Sequence, residues 1–132
     1  RPTETTNSYQ VGTTVDSEGK TWSYYATINN QSGTYCYGLN SDLNNYHISS
    51  PIFGGTIKSI SFKAHNGSST ANRKFLFCSS NTTAQPKTGD LAEVTIPKSE
   101  SFSQIYTADL SQLGVNQFHI YVAIDSYISN RC

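Results

Sequence analysis

The chain has 132 residues, one domain's worth, with nine basic and nine acidic side chains and no net charge. That neutrality excludes the basic footprint a phosphate backbone demands, and no apolar run approaches the roughly 18 residues of a membrane span. Only 14% of residues are charged, Met is absent, and Leu and Ala number six and seven, so strong helix formers are scarce. Nine Tyr and six Phe stand among 45 Ser, Thr and Asn residues, a composition suited to half-buried pleated surfaces and to a secreted all-β domain.

Residues 1–8, Arg-Pro-Thr-Glu-Thr-Thr-Asn-Ser, are polar and read as a flexible leader or linker, with one domain over 9–132. Tyr9 to Val15 alternates as a strand and Asp16-Ser17-Glu18-Gly19 turns. Thr21 to Ile28 places Trp22, Tyr24, Ala26 and Ile28 on one face, and Asn29 to Gly33 breaks it. Thr34 to Leu39 aligns Tyr35, Tyr37 and Leu39. A short strand at Tyr46 to Ile48 ends at Ser50-Pro51, and Gly54-Gly55 turns into a long strand, Thr56 to His65, with a bulge near Lys58-Ser59. Lys74 to Ser79 is apolar on both faces, as a central strand would be.

Asn81 to Asp90 is a loop. Strands follow at Leu91 to Ile96, Ser103 to Leu110 and Gln117 to Ile124, the last with Phe118, Ile120, Val122 and Ile124 inward and His119 toward solvent or a second sheet. Asp109 to Gly114 is one helical turn at most. About nine strands without a helix predict an all-β fold, a two-sheet antiparallel β-sandwich of jelly-roll topology.

Three cysteines, Cys36, Cys78 and Cys132, cannot all pair within one chain and match no zinc spacing. A domain of this size stands on its core alone, and the reading slightly favours no bridge. Sequons at Asn30, Asn66 and Asn81 are the chance product of an Asn/Ser/Thr-rich chain.

The stretch Tyr46-His47-Ile48-Ser49-Ser50-Pro51-Ile52-Phe53-Gly54-Gly55-Thr56-Ile57-Lys58-Ser59-Ile60-Ser61-Phe62, followed later by Asp109-Leu110-Ser111, resembles the galactose-binding-like β-sandwich modules attached to secreted bacterial hydrolases, nucleases and surface lipoproteins. The resemblance covers roughly residues 20–132. It implies the fold and, for some such modules, carbohydrate binding. The matched residues are framework, so it transfers no binding residue. Those modules close with a strand of the type I-D-D-I, which is missing after Ile124. The expectation is that Tyr9 to Val15 fills that place, with Val11, Thr13 and Val15 in phase for an edge strand.

Catalysis finds little support. No two of the nine acids are placed by a motif, and most sit in turns where Asp bonds local backbone. His47, His65 and His119 have no partner at readable spacing, and no Gly-x-Ser-x-Gly elbow occurs. No cofactor is expected, although a structural calcium on Asp16, Asp42, Asp90 and Asp125 with loop carbonyls is compatible with the sequence.

The aromatics are more informative, because sugars stack C–H faces on rings while their hydroxyls bond polar side chains. Tyr25, opposite Trp22 and Tyr24 on its strand, is read as exposed. Tyr46 follows Asn44-Asn45, and Tyr127 follows Asp125-Ser126. Tyr25, Tyr46, Tyr127, Trp22, Asn45 and Asp125 are therefore the ligand-binding candidates, although the alternation around Trp22 favours a core position. The reading is a non-catalytic carbohydrate-binding module of a secreted or surface bacterial multidomain protein. Its partners would be a neutral polysaccharide or glycan and neighbouring domains of the same protein, with no nucleic acid and no membrane insertion. The alternative is an adhesin or spacer domain.

Overall fold

A computed structural model describes residues 9–31, 33–39, 46–79 and 91–124. The leader at 1–8 and the Asn81–Asp90 loop lie outside these residues. Eleven strands are formed: β1 (Gln10–Val15), β2 (Thr21–Gln31), β3 (Thr34–Gly38), β4 (His47–Ser49), β5 (Ser59–Phe62), β6 (His65–Asn66), β7 (Arg73–Cys78), β8 (Leu91–Ile96), β9 (Glu100–Ser101), β10 (Tyr106–Asp109) and β11 (His119–Ile124). No helix occurs among the described residues, and none is long and apolar enough to cross a membrane.

Every pairing is antiparallel. Seven strands make one sheet in the order β1-β2-β4-β11-β7-β8, with β3 also on β2; β10 pairs β5 and β6 pairs β9. This all-β arrangement is compatible with a β-sandwich.

The sheet is built around β7 and β11, which are covered on both faces. Register puts Gly12, Tyr24, Ile48, Ile120, Phe77 and Ala92 in one row. Their face packs into the main apolar cluster, where Phe77, Ala108, Leu110 and Phe118 are fully buried against Trp22, Ile60 and Phe62. Burying one such side chain is worth about 1.5–3 kcal/mol. The opposite face carries Ser23, Ser49, His119 and Cys78 in a row, and a second buried cluster of Leu76, Cys78 and Tyr121.

Three expectations are corrected. First, β1 does not close the sheet beside β11, because β4 and β7 already flank that strand. β1 instead forms a hairpin with β2, Gln10 opposite Ala26 through Val15 opposite Thr21. Asp16 locks the turn by accepting the amides of Glu18 and Lys20 at 2.9 and 3.0 Å, and such a short loop closes at far lower entropic cost than a chain-spanning pairing. The phase is also inverted. Val11 and Val15 are 84% and 61% exposed, while Gly12 and Thr14 are half-covered. The Tyr24 ring lies across Gly12, occupying the space a Cβ would take.

Second, Cys78 is disulfide-bonded, against the slight preference for no bridge. Cys36 is a free, half-buried thiol, so the bridge does not use it; Cys132 lies outside the described residues. Third, His119 does not face solvent. It is 8% exposed, with Ser49 Oγ 2.7 Å from its Nδ1.

Other differences are of extent. β2 runs through Asn29–Gln31, where a break was expected, because the β3 ladder from Thr27–Gly38 to Gln31–Thr34 takes up its backbone groups, and Gly33 at φ 90° supplies the tight turn. The long strand at 56–65 divides into β5 and β6. Ile57 is drawn off by its bond to the Val115 carbonyl, and the Ala64 carbonyl accepts from Phe102.

Candidate functional site

A groove of about 590 Å³ opens beside the β2–β3 hairpin, within the range of small-molecule sites. The hairpin contributes Thr27, Asn29, Gln31, Tyr35 and Tyr37. Across from it stand Phe62 and Lys63 at the end of β5 and His65 in β6. Phe75, Phe77 and Ile120 contribute from the main sheet.

The hairpin side is shaped by one glycine. Any Cβ on Gly38 would collide with the Asn29 amide and the Thr27 hydroxyl, so these two side chains occupy the space that glycine leaves. Thr27 Oγ1 also donates to the Gly38 carbonyl at 3.3 Å. The Tyr37 ring rests against Tyr24 with centroids 4.7 Å apart. Phe62 sits 5.4 Å from Phe75 and 5.6 Å from Phe77. Rings so packed are held without further loss of rotamer freedom on binding.

The opposite rim is a braced turn. Asn66 is 5% exposed and fully bonded, with its Nδ2 donating to the carbonyls of Ala71, Ile96 and Pro97 at 3.1–3.2 Å and its Oδ1 accepting from Ser68 N at 3.1 Å. An amide so committed is no glycosylation acceptor in the folded chain, in line with a chance sequon. Beside it, Ser99 and Phe102 hold positive φ of 60° and 65°, a conformation costing on the order of 1–3 kcal/mol per residue. Between them Glu100 accepts Tyr106 O–H at 2.5 Å and both the amide and hydroxyl of Ser103 at 2.7 Å. The Tyr106 hydroxyl and then Ser103 pull the Glu100 carboxyl down to about 2. The network fixes the strained loop and sets the Phe102 ring 5.6 Å from His65, with both residues lining the groove.

The candidates from sequence divide. Tyr25 and Tyr46 do come together, 4.8 Å apart, joined by Tyr9, which stacks on Tyr46 at 3.4 Å and 8°. Tyr25 is thereby half-buried rather than exposed. Of the three, Tyr9 alone also lines the groove. Trp22 joins the core edge-on against Phe118 at 5.8 Å, its indole N–H donating to Asp16 Oδ2 at 3.0 Å. Tyr127, Asn45 and Asp125 lie outside the described residues. The groove residues Asn29 and Gln31 were passed over as a chain break. The hairpin register sets Asn29 opposite Cys36 and Gln31 opposite Thr34, with Tyr35 and Tyr37 on the alternate face, so alternation gave no signal that these residues share a groove.

The acids behave as turn formers. Asp16 serves its turn and Trp22, and Asp109 accepts the amide and hydroxyl of Ser111 at 3.0 and 2.6 Å. Both are held below the usual carboxylate range, Asp16 by Trp22 first and Asp109 by the Ser111 hydroxyl. Among the described residues no group of three or more His, Cys, Asp or Glu would hold a metal; Asp42, Asp90 and Asp125 lie outside them. The Ser49–His119 pair is shut into the sheet's second face, where burial and then the neighbouring His47 lower the His119 pKa. Neither residue lines any of the openings described here, and a nucleophile needs access to its substrate. Burial likewise raises the Cys36 thiol above its ordinary value.

No family model, no curated protein and no solved structure matches this chain.

Proposed function

We propose that the chain is a non-catalytic carbohydrate-binding module of a secreted or surface bacterial protein, built as a jelly-roll β-sandwich, and that it holds a neutral glycan in the groove beside the β2–β3 hairpin. The observation that carries this reading is that aromatic Tyr35, Tyr37 and Phe102 and uncharged Thr27, Asn29 and Gln31 line one groove, with Lys63 and Arg73 as its charged residues. Rings offer faces to sugar C–H groups, and amides satisfy hydroxyls without charge. The zero net charge agrees with a neutral ligand, as does the likeness of residues 46–62 to galactose-binding-like modules. Ser50-Pro51 within that likeness is framework, Ser50 Oγ accepting from Phe118 N at 3.0 Å.

A glycan array followed by calorimetry tests the reading. Neutral glycans should bind, with affinity barely changed by salt because no ion pair forms, and Tyr37→Ala should weaken binding on the order of ten-fold or more. Binding to none, or a steep salt dependence, would contradict it. The adhesin or spacer reading has one observation of its own. β1 has one neighbour and no charged residue, and it exposes Val11 and Val15, so a partner's strand has an edge to extend. Under that reading a strand-forming peptide, and no glycan, would shift the β1 amides.

A further inference from the structure

The groove is one of two openings along the same seam. A second, of about 420 Å³, is lined by Trp22, Phe53, Thr56, Ile57, Ser59 and Phe118. Ile60 lines both, so a single side chain divides them. Two strands run the length of this seam in the same sense. β2 passes from Trp22 at the second opening to Thr27, Asn29 and Gln31 at the groove. The segment containing β5 passes from Ile57 to His65, eight residues that reach at most about 29 Å.

The chemistry repeats along the seam. Trp22 is pinned at its indole N–H by Asp16 and at its edge by Phe118, so it is a ring already fixed in place. Exposed Thr56 and Ser59 bring hydroxyls beside it. At the other end Tyr37 and Asn29 both line the groove, from alternate faces of the β2–β3 hairpin. Rings and neutral polar groups thus recur on both sides of Ile60; the groove also carries Lys63, His65 and Arg73, and among the described residues no carboxylate lines either opening.

We propose that the seam takes one linear neutral oligosaccharide lying across both openings, with separate contacts at Tyr37 and at Trp22, rather than a single terminal sugar. This rests on the glycan reading above and specifies its ligand as an extended chain. Linked contacts on one ligand add without a second association cost, so affinity climbs with chain length until both ends are engaged.

The test is calorimetry with neutral linear gluco-, xylo- and manno-oligosaccharides, from disaccharide to hexasaccharide. Affinity should rise on the order of ten-fold or more between the shortest and longest members of the series that binds. Trp22→Ala should remove that rise. Because Trp22 also packs in the core, Thr56→Trp provides a second variant that fills the outer opening from an exposed position, and it should remove the rise equally. Tyr37→Ala should weaken every length. Equal affinity at all lengths would overturn the proposal while leaving the groove reading standing, as would a Thr56→Trp chain that keeps the rise. Binding of no saccharide would overturn both. Binding of decanoate in place of any saccharide would assign the seam to acyl chains and overturn both as well.

Discussion

β7 is apolar in both phases and β1 only in its valines, yet both lie in the same sheet and they end in opposite states. In β7 both phases are covered, Phe77 on one face and Leu76 and Cys78 on the other, each 1% exposed or less. In β1 the valines that look like its inward face are the exposed ones, and Gly12 and Thr14 meet the covered side. Alternation therefore reports which residues share a face and says nothing about which face is covered. The neighbours decide that. β7 has a strand on each side, and among the described residues β1 pairs only with β2.

The sharpest way to break this comparison is to truncate the two strands. Phe77→Ala should cost about 3–5 kcal/mol, the price of a large cavity in the main cluster, read as a lower urea midpoint. A loss under about 1 kcal/mol would mean that the sheet's centre is not where its stability lies. Next in size is Asn66→Ala at the groove rim. It strands three carbonyls and should cost about 1–3 kcal/mol, measured the same way. Smallest is Val11→Thr with Val15→Thr, within about 0.5 kcal/mol of the parent. A larger loss from that pair would show that a partner or another segment covers β1.

Acid separates two buried groups in a similar way. His119 is kept neutral by burial and by His47, so its folded pKa lies below the ordinary 6.5. Its contribution is present above 6.5 and is lost as pH falls below that value. Glu100 has its pKa lowered from 4.5 to about 2, so its contribution is lost between those two values. In a stability-versus-pH series, His119→Gln should flatten the upper part of the decline and Glu100→Gln the lower. If either variant leaves its own window unchanged, that group's bonding has been misassigned.

These contrasts mark what was legible in the sequence. Leu91–Ile96 matches β8 residue for residue, and Lys74–Ser79 lies within a residue of β7, because local pattern and burial agree there. Pairing was not legible. The placement of β1 turned on a competition between a hairpin fixed by Asp16 and a closure suggested by likeness, and spacing does not rank the two. The site was half legible. Of the aromatic candidates, Tyr25 and Tyr46 pack on one another. Tyr37 and Asn29 come to line one groove because β2 runs past Asn29 to its turn at Gly33. The strained Ser99 and Phe102 carry no sequence signal, since neither residue type favours a positive φ.

The account's central claim is that a neutral glycan occupies the groove beside the hairpin. Two-dimensional amide NMR during titration with the best-binding neutral oligosaccharide tests it most directly. Shifts should concentrate on Thr27, Asn29, Gln31, Tyr35, Tyr37 and Phe102, with β8 amides unmoved. Shifts confined to Tyr25, Tyr46 and the β1 amides, with the hairpin silent, would place binding outside the groove and contradict the claim.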